Sequence, residues 1–211
     1  PVPGFTMRLR RCGQSLGAAS LQLHCGSHSL RYAGTLGRQD DPLLRPPASA
    51  EAAELLLLEA THGQREYRSA DALARLARLV HRTAARGGVL LLPVHALDDA
   101  PRVLQAIHGL KCARRIPDLP VHLDHAIATE VLALHAAHAD ELRIGAAACR
   151  ELLQGVQVAA NAHEAAGLAA RPGPCILVAV EDVVCSRALA EHLKRLAPLP
   201  QHAIAYCGWQ P

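Results

Sequence analysis

Three groups of residues in this 211-residue chain have the types and spacing for chemistry. The first is rich in histidine. His122-x-Asp124-His125 puts two imidazoles and a carboxylate within four positions, and His135 and His138 stand at i and i+3 of one helical run. Imidazole nitrogens and carboxylate oxygens suit a zinc-type ion, so His135 and His138 form a candidate metal cluster with His125 or Asp140. The second is Glu59, which closes an apolar run; open α/β sheets bind ligands at the C-terminal ends of their strands, where such an acid would stand. The third is Cys185 beside Ser186 near a helix start, where the helix N-terminus would favour a thiolate. No His or Asn constellation accompanies that thiol, so nucleophilic catalysis is not expected. Arg65 and Arg68 suit phosphate contact, although exposed loop arginines are ordinarily solvated surface.

The elements that must position these residues change character along the chain. Residues 5–10, 19–25 and 29–33 alternate and are separated by glycine-containing turns, as in antiparallel strands. A Pro-rich, polar connection over 34–50 follows. The continuous apolar run at 54–59 predicts a central strand buried on both faces. Ser69 can cap a helix to about Arg86, with Leu73, Leu76, Leu79 and Val80 as its apolar stripe and Gly87-Gly88 as its stop. Strands are then expected at 89–92, 121–123, 156–160, 176–180 and 203–207, with helices at 98–115, 126–142, 163–170 and 186–196. Strands and helices alternating at this spacing predict an α/β fold with a mostly parallel sheet covered by helices on both sides.

Half of the chain is hydrophobic but only 2% is aromatic, so the core must be aliphatic. No stretch approaches the ~18 consecutive apolar residues of a membrane helix, and Pro1-Val2-Pro3-Gly4 lacks the form of a signal peptide. The expectation is a soluble, cytoplasmic protein with no membrane partner. Seven scattered cysteines without a Cys-x-x-Cys pair argue against a disulfide framework and against a thiolate zinc knuckle. The net charge of +3 is mild, and only Lys111 and Lys194 are lysines. The Arg, Ala, Gly and Pro bias suggests a GC-rich coding sequence, which weakens a phosphate-binding reading of the arginines.

Several motifs occur in an order that points to one family. Leu57-Leu58-Glu59-Ala60-Thr61-His62-Gly63-Gln64-Arg65 resembles the Glu-Ser-Thr-Tyr-Gly-Asp-Arg opening of the β-CASP domain of nucleic-acid-processing metallo-β-lactamase proteins. Leu36-Gly37-Arg38-Gln39-Asp40-Asp41-Pro42-Leu43-Leu44 resembles the family's Leu-Gly-Arg-x-Asp-x-Pro-Leu-Leu. Pro93-Val94-His95-Ala96-Leu97 is similar to Pro-x-Phe-Ala-Val, Pro120-Val121-His122-Leu123-Asp124-His125-Ala126-Ile127-Ala128 to Pro-Val-x-x-Asp-Ser-Pro-x-Ala, and Gly208-Trp209-Gln210 to Gly-Tyr-Gln. The ordered set resembles most the bacterial RNA-processing members. It implies a β-rich metallo-β-lactamase remnant over 1–50, then a Rossmann-like β-CASP domain over 51–211.

The same resemblance implies a site and says how this chain departs from it. The family hydrolyses phosphodiesters with two zinc ions, held by a His-x-His-x-Asp-His loop, a later His, a bridging Asp and a C-terminal His. Paired zinc ions activate water and neutralise phosphate oxygens. The loop would precede Pro1 and the C-terminal motifs would follow Pro211. Within the chain, Gln14 stands at the later His position, in Cys12-Gly13-Gln14-Ser15-Leu16-Gly17-Ala18-Ala19, and Thr35 stands at the bridging Asp position, in Ala33-Gly34-Thr35. Neither replaces a zinc ligand, so no metal is expected. Glu59 is the family acid carried over intact. Acids replace phosphate-contacting Gly and Arg at Asp98, Asp99, Glu181 and Asp182 and would weaken RNA binding; Arg187 alone survives. On this alignment His122-x-Asp124-His125 is a decoy; His135 and His138 read as a solvated polar face because 13 histidines must lie somewhere in the chain. The functional expectation is an inactive homologue of β-CASP RNA-processing nucleases, or an interaction subunit pairing with itself or an active homologue.

Overall fold

The computed structural model describes residues 2–49, 51–61, 63–64, 69–125, 127–159, 164, 167, 173–181 and 186–207. The chain divides into two compact units, Pro1–Tyr67 with Asp140–Gly145, and Arg68–Ala139 with Ala146–Pro211.

The first unit is built on a four-stranded sheet in sequence order, β1 (Phe5–Arg11), β2 (Ala19–Cys25), β3 (His28–Tyr32) and β4 (Leu55–Leu57). β1, β2 and β3 are antiparallel neighbours, and β4 joins β3 in parallel. The run at 54–59, expected as a central strand of the parallel sheet, is instead this sheet's edge: only three residues pair, and Leu55, Leu56 and Leu57 are 46–56% exposed. An unbroken apolar run fits a strand buried on both faces, but here one neighbour supplies hydrogen bonds and neither face is covered. The first unit therefore extends past residue 50, the boundary expected from sequence. Asp41 organises the Pro-rich connection by accepting the backbone N–H groups of Leu43 and Leu44 at 2.9 and 2.8 Å. Leu44 then bridges Leu142, and Arg143 N–H donates to the Leu43 carbonyl.

The second unit is a five-stranded parallel sheet of order β7-β6-β8-β5-β9, formed by β5 (Val89–Val94), β6 (Val121–Asp124), β7 (Val156–Ala159), β8 (Cys175–Val180) and β9 (Ala203–Ile204). Every residue of β5, β6 and β8 is buried. The helices are α1 (Ser69–Ala85), α2 (Ala100–Cys112), α3 (Ala128–Ala137), α4 (Gly145–Gln154) and α5 (Ser186–Leu196). One side of the sheet packs Val89, Leu91, Leu177 and Ala179 against Leu189 and Leu196 of α5. The expected 98–115 helix begins after a 3₁₀ turn at Leu97–Asp99. The expected 126–142 helix stops at Ala137, and α4, which follows, was not foreseen. Its small residues, with Cys149 and Leu152 buried one turn apart, give a short stripe that periodicity alone does not isolate. The helix expected at 163–170 lies outside the described residues except at 164 and 167, as does Gly208-Trp209-Gln210.

Candidate functional site

In the first unit, strand direction gathers Gln14, Thr35 and Glu59. β1, β3 and β4 run the same way, so the residues leaving their C-terminal ends emerge at one end of the sheet. Gln14 follows β1, Thr35 follows β3 and Glu59 follows β4. Ala33 N–H donates to the Leu57 carbonyl at 2.9 Å and Gly37 N–H to the Cys12 carbonyl at 2.8 Å, which ties the three exits together. The approach is close: a Cβ at Gly37 would lie 1.9 Å from the Gly13 carbonyl oxygen and 2.7 Å from the Gln14 nitrogen. Only glycine permits that contact.

The chemistry gathered there is neutral apart from one acid. Gln14 is half-buried and Thr35 is exposed. Glu59 is exposed and accepts the Thr61 backbone N–H at 2.6 Å. An amide and a hydroxyl do not fit a site for zinc, whose ligands are thiolate, imidazole and carboxylate. Among the described residues no group of three or more His, Cys, Asp or Glu side chains is placed to hold a metal ion.

In the second unit, acidic positions gather at the C-terminal edge of the parallel sheet. β5 and β8 are neighbours, and their connections lead to β6 and to β9, which lie on opposite sides of that pair. Glu181 N–H donates to the Val94 carbonyl at 2.7 Å, holding those two strand ends together. Asp98, Asp99 and Glu181 stand at this edge; Asp182 and Cys185 fall outside the described residues. Burial raises the Asp99 carboxyl above its ordinary range and the neighbouring Asp98 adds to the effect, while Arg102 and His95 oppose it. Arg102 donates to Asp99 at 2.9 Å, so part of the acidity expected to repel phosphate is offset by an arginine one turn along, which sequence reading had not paired with it. Cys207, bridged to Val94, has its thiol pushed up from 9.0 to about 11 by burial and by Asp99. A thiol so protonated is a poor nucleophile. Arg187 is exposed in the first turn of α5. Glu191, one turn on, is held below its usual range first by Lys194 and to a smaller degree by Arg187.

The histidine-rich residues divide by role. Asp124 ends β6 and is paired with His192 of α5, Nε2 to Oδ2 at 2.5 Å, with both side chains buried. His192 was not singled out from sequence; the available signal was a carboxylate closing a fully buried strand, which needs a partner, and a histidine in the Leu189, His192, Leu196 stripe. His125 is buried and its Nδ1 accepts the Ile127 N–H at 3.2 Å. His135, expected on a solvated face, is buried, with Nδ1 donating to the Val131 carbonyl at 2.8 Å, while His138 is exposed. The i, i+3 spacing does not separate a core position from a surface one at the edge of a stripe. His62, Arg65 and Arg68 lie outside the described residues.

Comparison with known proteins fits this architecture. The family profile described as the Beta-Casp domain matches residues 101–211. "Ribonuclease TTHA0252" of Thermus thermophilus is 25% identical over 98% of this chain and 49% of its own length. "Transcription termination factor FttA" of Pyrococcus abyssi is 28% identical over 99% of this chain and 34% of its own. The chain thus spans about half or a third of these relatives. A solved structure, titled as a protein of unknown function from Enterococcus faecalis V583, covers 99% of this chain at 14% identity with a TM-score of 0.48.

Proposed function

This chain belongs to the Beta-Casp family, and from that membership we propose that it handles RNA without hydrolysing it through zinc ions of its own. The RNA component is supported by relatives named as a ribonuclease and a transcription termination factor. The observation carrying the second component is the end of the first sheet. The strand exits there bring Gln14, Thr35 and Glu59 to one end, and on the motif resemblance the first two stand where zinc ligands would be. Two zinc ions would supply an activated water and neutralise phosphate oxygens, and these side chains cannot stand in for the ligands that such ions need. What this chain's residues can do there is support a backbone: Glu59 holds the turn at Thr61.

A gel assay with end-labelled single-stranded RNA and the purified chain, with and without added zinc, tests the reading. Retarded but uncut RNA is expected. RNA cut in a metal-dependent way would defeat it.

A second reading, a subunit that assembles with a second copy or a homologous chain, is favoured by one feature of the first sheet. Register places Phe5, Met7, Leu9, Leu21, Leu23, Leu30, Tyr32, Leu55 and Leu57 on one face. Phe5, Met7, Leu9, Tyr32, Leu55 and Leu57 on that face are exposed, while Ser20, Gln22 and Arg31 of the opposite, polar face are buried. Apolar patches of this kind mark contact surfaces. A strict monomer that binds no homologous subunit would contradict this reading.

A further inference from the structure

The outward face of α1 carries Arg75, Arg78 and Arg82, and Arg86 in the turn just past its end continues the row, with spacings of three, four and four residues. From Arg75 to Arg82 the row rises roughly 10 Å at 1.5 Å per residue. All four are exposed, and the opposite side of the helix buries Ala77, Val80 and Thr83. Asp71 is the one acid within α1, at the start of the stripe. Among the described residues no carboxylate pairs with Arg75, Arg78, Arg82 or Arg86, whereas Arg8, Arg10, Arg11, Arg38 and Arg102 each have an acidic partner. Arg86 reaches the backbone carbonyls of Arg82 and Pro200, which leaves its charge uncompensated. Arg115 extends the patch sideways, its carbonyl 2.9 Å from His81 Nε2 on the same helix.

Compositional bias accounts for arginines but not for their alignment. Like charges at i and i+4 repel along a helix. The last-turn position of Arg82 complements the helix dipole, but Arg75 and Arg78 lie too early to gain from it. A linear row of guanidiniums matches a linear row of phosphates, because each fork can take two phosphate oxygens. We propose that the Arg75–Arg78–Arg82 face of α1, continued by Arg86 just past its end, binds the phosphate backbone of single-stranded RNA, independently of base sequence. The choice of RNA over another polyanion rests on the RNA-handling reading above.

The test is fluorescence anisotropy with a labelled single-stranded RNA over a range of salt, comparing the whole chain with a Arg75→Gln/Arg78→Gln/Arg82→Gln variant. A charge-matched control, Arg38→Gln/Arg150→Gln/Arg195→Gln, changes exposed arginines elsewhere, and circular dichroism verifies that both variants keep their helices. At ~0.7 of slope per neutralised single-strand phosphate, the α1 variant should lose roughly two units from the dependence of log affinity on log salt, and about tenfold or more in affinity at low salt, with the control nearly unchanged. Equal losses in both variants, or none in the α1 variant, would overturn the proposal while leaving the RNA-handling reading intact. A wild-type chain that binds no RNA overturns both. Loss of binding only to phosphatidylserine vesicles or to polyglutamate would also overturn it and reassign the face to that partner.

Discussion

Removing one member of a buried hydrogen-bonded pair leaves the other without water or partner, and Asp124 with His192 is such a pair. His192→Ala should cost about 3–5 kcal/mol, measured by urea unfolding, and far more than His138→Ala at an exposed position. A loss below that of His138→Ala would mean the pair does not hold α5 to β6. His202 gives a pH dependence. Its Nδ1 accepts the Val89 N–H at 2.8 Å and burial pulls its pKa below 6.5, so the folded state prefers the neutral ring. A lowered folded pKa means the stabilisation is present above 6.5 and is lost as pH falls below it. Melting temperature should therefore drop between pH 7.5 and 5.5, and His202→Gln should flatten that drop; an unchanged drop would exclude His202 as its source. At this scale the chain was legible where residues sit in motifs. Gln14, Thr35 and Glu59 could be named from their neighbours. His192 could not, because its partner is 68 residues away and only the fold brings them together.

Strand and helix positions in the second unit follow from apolar runs broken by Gly, Pro and polar loops, and β5, β6 and β8 appear where those runs predict. The same logic misplaced 54–59, because an apolar run records suitability for burial and not which sheet supplies the hydrogen bonds. β4 pairs with β3, whose register sets Leu55 beside Leu30 and Leu57 beside Tyr32. The outcome is a sheet with an open apolar face, led by Met7 and Leu9 at 61% and 63% exposure. Replacing both by Lys should change unfolding free energy by less than about 1 kcal/mol in all, since exposed positions contribute little. It should lower the mass seen by light scattering if that face joins two chains. A fall in stability of several kcal/mol would show that the face is packed within the unit itself.

The whole chain combines a parallel five-stranded unit, matched to the Beta-Casp domain from residue 101 onward, with a first unit whose β1, β3 and β4 exits carry Gln14, Thr35 and Glu59 at one sheet end. The fold class was readable because strand–helix alternation allows few topologies. The extent of the first unit was not, because it depends on pairing between β3 and β4 across the Pro-rich connection and on the return of residues 140–145. No helix among the described residues is long and apolar enough to cross a membrane. The central proposal is that Gln14 and Thr35, at the end of the first sheet, hold no zinc. Native mass spectrometry of the purified chain, after equilibration with zinc and removal of the excess, tests it most directly. The expected result is the mass of the chain without bound zinc; a species carrying two zinc ions per chain would overturn the proposal.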